Sequence, residues 1–168
     1  VIHRDWDYLQ YFISEARRLG LKVTVSTAMF PSGHPATREG LVYDEPRWDG
    51  KTCLEYTPGG KMLDIREDKK KVGAFLNPVR KDVRKFALSI VREIVKNYDV
   101  DAYALDYCRY PGDDSDFSID SQKAFERYLG KKIQNFPDDI FTWNTDGTKN
   151  PGIYYKEWWA FRANVITS

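Results

Sequence analysis

No run of apolar residues in this chain approaches the ~20 that a membrane span needs, and no signal peptide opens it. A membrane-spanning role is therefore not expected. Charge of one sign is also missing. Lys and Arg number 26 against 25 Asp and Glu, a net charge of +1, so there is no broad basic field to hold a nucleic acid. Only two cysteines occur, Cys53 and Cys108, in unlike surroundings and without the spacing of metal ligands. They leave the redox compartment open, and no metal or other cofactor is expected. Finally, no glycine-rich phosphate loop follows either of the two strands read below, which disfavours a small doubly wound domain for a nucleotide.

What is present is an ordinary globular balance. The 168 residues are 42% hydrophobic and 30% charged, enough for one domain with a sizeable core. Aromatic residues reach 15%, a composition suited to flat ring-stacking surfaces as well as to core. The first residue is Val1 rather than Met, so the chain is read as an excised or processed piece of a longer protein.

The stretch VDAYALDYCRYP, residues 100–111, organises the rest. Residues 100–105 read as a short strand, apolar but for Asp101, of the kind buried on both faces of a parallel sheet. Asp106 follows directly. An unpartnered carboxylate is expensive to bury, and in α/β folds ligands bind outside the carboxyl ends of parallel strands. Position alone divides evenly between a structural cap or ion pair and a site. Arg109 three residues on, with the stiff aromatic exit of Tyr107, Tyr110 and Pro111, favours the site.

Upstream, Trp6, Leu9, Ile13 and Ala16 share one helical face, which predicts a helix over 5–19, capped by Asp5 and ended by Gly20. A buried strand is expected over 21–30. Residues 31–50, rich in Pro, Gly and charge, then break the βα repeat, as does a hairpin over 53–65 turning at Pro58, Gly59 and Gly60. We read 31–76 as a loop insertion at the carboxyl face, where binding loops vary without disturbing a core. His34, Arg38, Tyr43, Asp44 and Trp48 are individually ordinary loop residues, and together a candidate lid or subsite wall.

Asn77 and Pro78 open a helix whose Val83, Phe86, Ala87, Ile90, Val91 and Ile94 form one wide apolar stripe. The strands on either side of it should be parallel neighbours. Further on, GDDSDFSID lacks the glycine and distal Glu of an EF-hand loop and reads as turns and caps, with Ser118 or Asp120 starting a helix to about Lys132. Residues 136–150 look irregular and carry Trp143. Asn150 and Pro151 are expected to open a last helix with the stripe Tyr154, Trp158, Phe161 and Val165.

The run FLNPVRKDVRKFALSIVREIVKNYDVDAYALDYCRYP resembles glycosyl-hydrolase-like family 10, whose members carry a similar Asn-Pro, a helix of the same phase and an aspartate strand ending in Tyr-Pro. The likeness extends back through EARRLGLKVTVSTAMF and forward to WWAFRANV, covering most of the chain outside the loops. It implies a (β/α)8 barrel acting on glycans, and an extracellular, periplasmic or cell-surface setting for the parent protein. A whole barrel needs ~250 residues. The expected fold class is therefore α/β, a partial (β/α)8 TIM barrel. Residues 1–168 would be a fragment of a single glycoside-hydrolase-like domain, holding about the third and fourth βα units with 31–76 inserted.

Glycoside hydrolysis generally uses two carboxylates. The resemblance places Asp106 at the end of the fourth strand as nucleophile or base. Arg109 is expected to hold it ionised, and Tyr107 and Tyr110 to bond to it or to the sugar. His34, Trp48 and Trp143 complete the expected substrate contacts. Nothing selects the acid among Glu39, Asp44, Glu45 and Glu55 of the insertion. The expected function is hydrolysis of O-glycosidic bonds in a poly- or oligosaccharide by the parent protein, the fragment alone being inactive. The alternative is a non-catalytic carbohydrate-binding module. A barrel cut this short leaves sheet edges open, so self-association is expected as well.

Overall fold

The computed structural model describes residues 6–167. Its first element is α1 (Tyr8–Arg18), which starts where the Asp7 carboxylate accepts the N–H of Gln10 at 3.0 Å. Asp7 thus takes the capping role expected of Asp5, a residue outside those described. Ile13 and Ala16 pack on Val23, Gly20 reverses the chain at φ +71°, and β1 (Thr24–Ala28) follows. The strand is shorter than 21–30 because Met29 and Phe30 turn into a separate core.

That core belongs to the insertion. It contains α2 (Leu41–Asp44), a tight turn over Pro46–Trp48, and the expected hairpin of β2 (Leu54–Tyr56) and β3 (Met62–Asp64), antiparallel with Glu55 opposite Leu63. The segment is no surface lid. Val42, Trp48, Cys53, Ile65, Phe75 and Leu76 are buried together and pack on Val83 and Ala87 of α3 (Lys81–Asn97). Close approach fixes its base: a Cβ on Gly33 would stand 2.7 Å from Val42 Cγ2 and 2.9 Å from the Glu39 carbonyl.

After α3 the chain enters β4 (Ala102–Asp106), parallel to β1 as expected, with Thr24 opposite Ala102 and Ala28 opposite Asp106. Alternation sets Thr24, Ser26, Ala28, Ala102, Ala104 and Asp106 on one face and Val25, Thr27, Tyr103 and Leu105 on the other. The first face carries only small or polar side chains and is open. The second is half-buried, with Thr27 and Tyr103 hydroxyls 2.5 Å apart. Burial on both faces is therefore not what the structure shows: Leu105 is 50% exposed. Among the described residues the sheet has two strands, and two strands with α1 and α3 cannot cover both faces. The class is mixed α/β.

The last third folds around α4 (Ile119–Leu129), the hairpin β5 (Phe141–Trp143) with β6 (Lys149–Pro151), and α5 (Tyr155–Thr167). Ser118 caps α4 by accepting the Ser121 N–H. Asn150 and Pro151 do not open α5: they pair with Thr142 and Phe141 in the hairpin, which delays the helix to Tyr155. The aromatic richness goes largely into this region. Trp158 stacks on Phe117 at 5.1 Å and meets Phe125 edge-on at 4.9 Å.

One buried carboxylate joins the layers. Asp116 is 0% exposed and accepts the Leu54 N–H at 2.5 Å, the Asn77 side-chain amide at 2.5 Å, and the Ser118 and Ser121 hydroxyls at 2.5 and 2.6 Å. Asn77, expected to open α3, is instead the insertion's anchor to α4.

Candidate active site

Asp106 ends β4 at the carboxyl edge of the parallel pair. Its backbone carbonyl accepts the Met29 N–H at 2.9 Å, so the ladder holds to the last residue. Immediately after it, Tyr107 sits at φ +47°, a left-handed conformation rare for an aromatic residue. That reversal turns the Tyr107 N–H back onto Asp106 Oδ1 at 2.8 Å. The Tyr107 ring rests edge-on against the buried Phe75, 6.1 Å between centroids. The insertion core therefore fixes the residue that orients the carboxylate. Asp106 itself is open to solvent on the small-residue face.

Arg109 is placed differently from expectation. Its guanidinium lies 5.1 Å above the Tyr107 ring and donates to the Tyr110 carbonyl at 3.1 Å, and its N–H closes a tight turn on the Tyr107 carbonyl at 2.8 Å. Among the described residues it makes no ion pair with Asp106; its guanidinium is taken up by the Tyr107 ring and the Tyr110 carbonyl instead. Tyr110 is buried beneath the same loop, its hydroxyl pushed to higher pKa by desolvation.

The remaining expected contacts scatter. His34 is exposed at the start of a turn closed by its own backbone on Glu39 and Arg38. Trp48 is a correction: at 4% exposure, 4.8 Å from Phe86 of α3, it is core and offers no platform to a sugar. The run of charge around it reads as loop, but its ring has the area to seal the insertion to α3. Trp143 is half-buried in β5, its indole N–H given to the Tyr56 carbonyl at 3.0 Å and its ring beneath the Lys149 ammonium.

Of the insertion carboxylates, Glu39 and Asp44 are exposed, and Glu45 pairs with Arg47. Glu55 is buried and 2.6 Å from the Lys71 ammonium, which also meets Asp114 at 3.2 Å. Burial raises the Glu55 carboxyl and Lys71 counters only in part. Its raised pKa would suit an acid, but its burial withholds it from a polymer. The acidic run after Gly112 is consumed by partners: Asp113 by Lys149, Asp114 by Lys71, Asp116 by its four donors and Asp120 by Arg80. Among the described residues no cluster of His, Cys, Asp and Glu could hold a metal, and no helix is long and apolar enough to cross a membrane.

What escaped the sequence reading is a cleft of about 510 Å³ between the exit loop and α5, lined by Cys108, Arg109, Tyr110, Trp159, Arg162 and Ile166. Arg162 stands beside Phe161 on the buried side of α5 and donates to the Gly112 carbonyl at 2.5 Å. A charged residue four positions after Trp158, within an apolar stripe, was the available signal. Chemically, the chain offers one oriented, accessible carboxylate at the strand end and, between the exit loop and α5, an aromatic, cationic cleft.

The family model of glycosyl hydrolase-like 10 matches residues 2–167, essentially the whole chain. The chain belongs to the glycosyl hydrolase-like 10 family. Among curated proteins, this family member is similar to an S-layer-related protein of Niallia circulans, 37% identical over 168 residues. The match takes in 98% of this chain and 10% of that relative, so the chain spans about a tenth of the length of the protein it resembles. No solved structure matches it.

Proposed function

We propose that the parent protein is a glycoside hydrolase acting on a poly- or oligosaccharide, with Asp106 as nucleophile or as base for water. The observation that carries this reading is the placement of Asp106. Its carboxylate ends a parallel strand, is open to solvent, and is held by the Tyr107 N–H in a backbone reversal that costs strain. The second carboxylate that hydrolysis requires lies elsewhere in the parent. In this reading residues 1–168 form part of a (β/α)8 barrel, at about its third and fourth units, with the small-residue face of β1 and β4 turned to its interior. The protein works outside the cytoplasmic membrane, and the isolated chain is inactive and self-associates.

Reducing-sugar release by the intact parent from α- and β-linked polysaccharides tests the proposal, with Asp106→Asn alongside. A loss of roughly 10³-fold or more is expected, as for removal of an essential catalytic group. Full activity in the variant would refute the assignment. Glycan binding without product release, in parent and variant alike, would support instead a carbohydrate-binding module.

A further inference from the structure

The cleft between the exit loop and α5 contains a buried cation that, among the described residues, has no salt-bridge partner. Arg162 is 5% exposed, and its guanidinium is sandwiched between the rings of Tyr110 and Trp159, 4.3 and 4.4 Å from their centroids. Only Nη2 has a partner, the Gly112 carbonyl. Nε and Nη1 are buried without a hydrogen-bond partner, and the hydroxyl of Tyr110 is too. Among the described residues no carboxylate pairs with it. The acidic side chains of the neighbouring loop are drawn away, Asp113 to Lys149 and Asp114 to Lys71.

Buried ions are ordinarily paired, and buried donors ordinarily satisfied. Here neither rule holds, and both exceptions fall at one place. Arg162 and the exposed Arg109 line the same cleft, and none of the residues lining it is acidic. The volume, about 510 Å³, is that of a small-ligand site and exceeds a single sugar ring.

We propose that this cleft is an acidic-sugar subsite, taking a glycan residue that bears a carboxylate. The carboxylate meets the Arg109 guanidinium at the rim and is attracted by the buried charge of Arg162 on the floor, while the sugar ring lies against Trp159. The proposal rests on the glycan-acting reading for its substrate class and adds the specificity that the subsite would impose.

The 168-residue chain supplies its own reporter. Cys108 lines the cleft and is half-buried, whereas Cys53 is fully buried, so alkylation of the native chain reads Cys108. The experiment measures protection of Cys108 and calorimetric affinity with galacturonate oligomers, neutral galactose oligomers of the same length, and inorganic sulfate. Galacturonate is expected to protect Cys108 and to bind at least about tenfold more tightly than the neutral oligomer, the effect of one charge-assisted contact. Arg109→Gln, at an exposed position that leaves the core intact, should abolish that preference, and Arg162→Lys should weaken it. Equal affinity for charged and neutral oligomers, absence of binding, or a preference insensitive to Arg109→Gln overturns the proposal. Sulfate binding as tightly as galacturonate overturns it too, since the site would then be a plain oxyanion trap. Galacturonate binding with no hydrolysis by the parent would refute the glycosidase reading and keep the subsite, and hydrolysis of neutral glycans only would do the reverse.

Discussion

Ala28 and Asp106 face one another at the last paired position of two parallel strands. The residue paired with Asp106 on its own face carries only a methyl group, and Ser26 and Ala104 continue that small-residue surface below it. Small neighbours leave Asp106 approachable, while the left-handed Tyr107 fixes its direction from the other side. Ala28→Leu should therefore block the carboxylate without touching the helix-side core. Parent activity is expected to drop at least about tenfold, while the Tm of the 168-residue chain changes little, since in this chain the added side chain projects from an open face. Unchanged activity would argue that substrate does not approach over Ala28.

Asp116 supports a second prediction. Four donors from β2, Asn77 and the start of α4 converge on its carboxylate. Asp116→Ala removes the acceptor that all four share, leaving only the Asn77 amide a second partner in the Ser118 hydroxyl, and an expected loss of about 3 to 5 kcal/mol follows from leaving buried polar groups without partners. Asn77→Ala removes one donor and should cost about 1 to 3 kcal/mol. Because both act on the same network, the double variant should lose less than the sum of the singles. Urea unfolding of the four proteins checks this, and additive losses would show the network to be no unit.

The glycines give a paired test. Gly33→Ala places a methyl 2.7 Å from Val42 Cγ2 and 2.9 Å from a backbone carbonyl, an overlap only backbone movement can relieve. A loss of about 1 to 3 kcal/mol is expected. At Gly59, in the hairpin turn, the nearest atom would be 4.0 Å away, so Gly59→Ala should be close to neutral. Similar melting temperatures for the two variants would contradict the packing at the base of the insertion.

These residues also show what local sequence could convey. The α3 stripe and the Pro58, Gly59, Gly60 turn follow from short-range periodicity and turn chemistry, and both elements form, the helix beginning at Lys81 rather than at Asn77 and Pro78. The strand ending at Asp106 was legible for the same reason. The insertion was not, because Val42, Trp48, Ile65 and Phe75 are scattered among prolines, glycines and charges, and only long-range closure makes them a core. Asn150-Pro151 suits a helix start or a hairpin edge equally, and pairing with β5 decides it. Arg162 looks like the polar edge of an amphipathic helix until Gly112, Tyr110 and Trp159 surround it. Burial of β4 depends on neighbours that no window of ten residues contains.

Acid stability provides a signed test at Asp82. Partial desolvation works against its carboxylate, but Lys51 at 2.8 Å and Arg80 at 3.3 Å outweigh it and hold the pKa at about 2, below the ordinary 3.8. A depressed folded-state pKa means that the unfolded chain binds the proton first. The contribution is present above the ordinary value and is lost as pH falls from there toward 2. Since Asp82 is nearly half exposed, solvent screening keeps it under about 1 kcal/mol. Asp82→Asn should therefore flatten the decline of the urea midpoint in this window while lowering the midpoint slightly above it. A decline as steep as in the unsubstituted chain would contradict the ion pairs.

Open strand edges lead to the last prediction. Among the described residues β1 and β4 pair only with each other, so each presents an unpaired row of N–H and C=O groups along its far side. Leu105 on β4, Leu88 and Val95 on α3, and Phe12 and Leu19 on α1 add exposed apolar surface around that sheet. Unpaired edges beside apolar surface favour pairing with another copy. Sedimentation velocity of the 168-residue chain should show a weight-average mass that rises with concentration, and Leu105→Lys, which puts a charge beside the edge, should reduce the rise. A monomer mass at every concentration would mean that edge pairing is too weak to overcome the entropy of association.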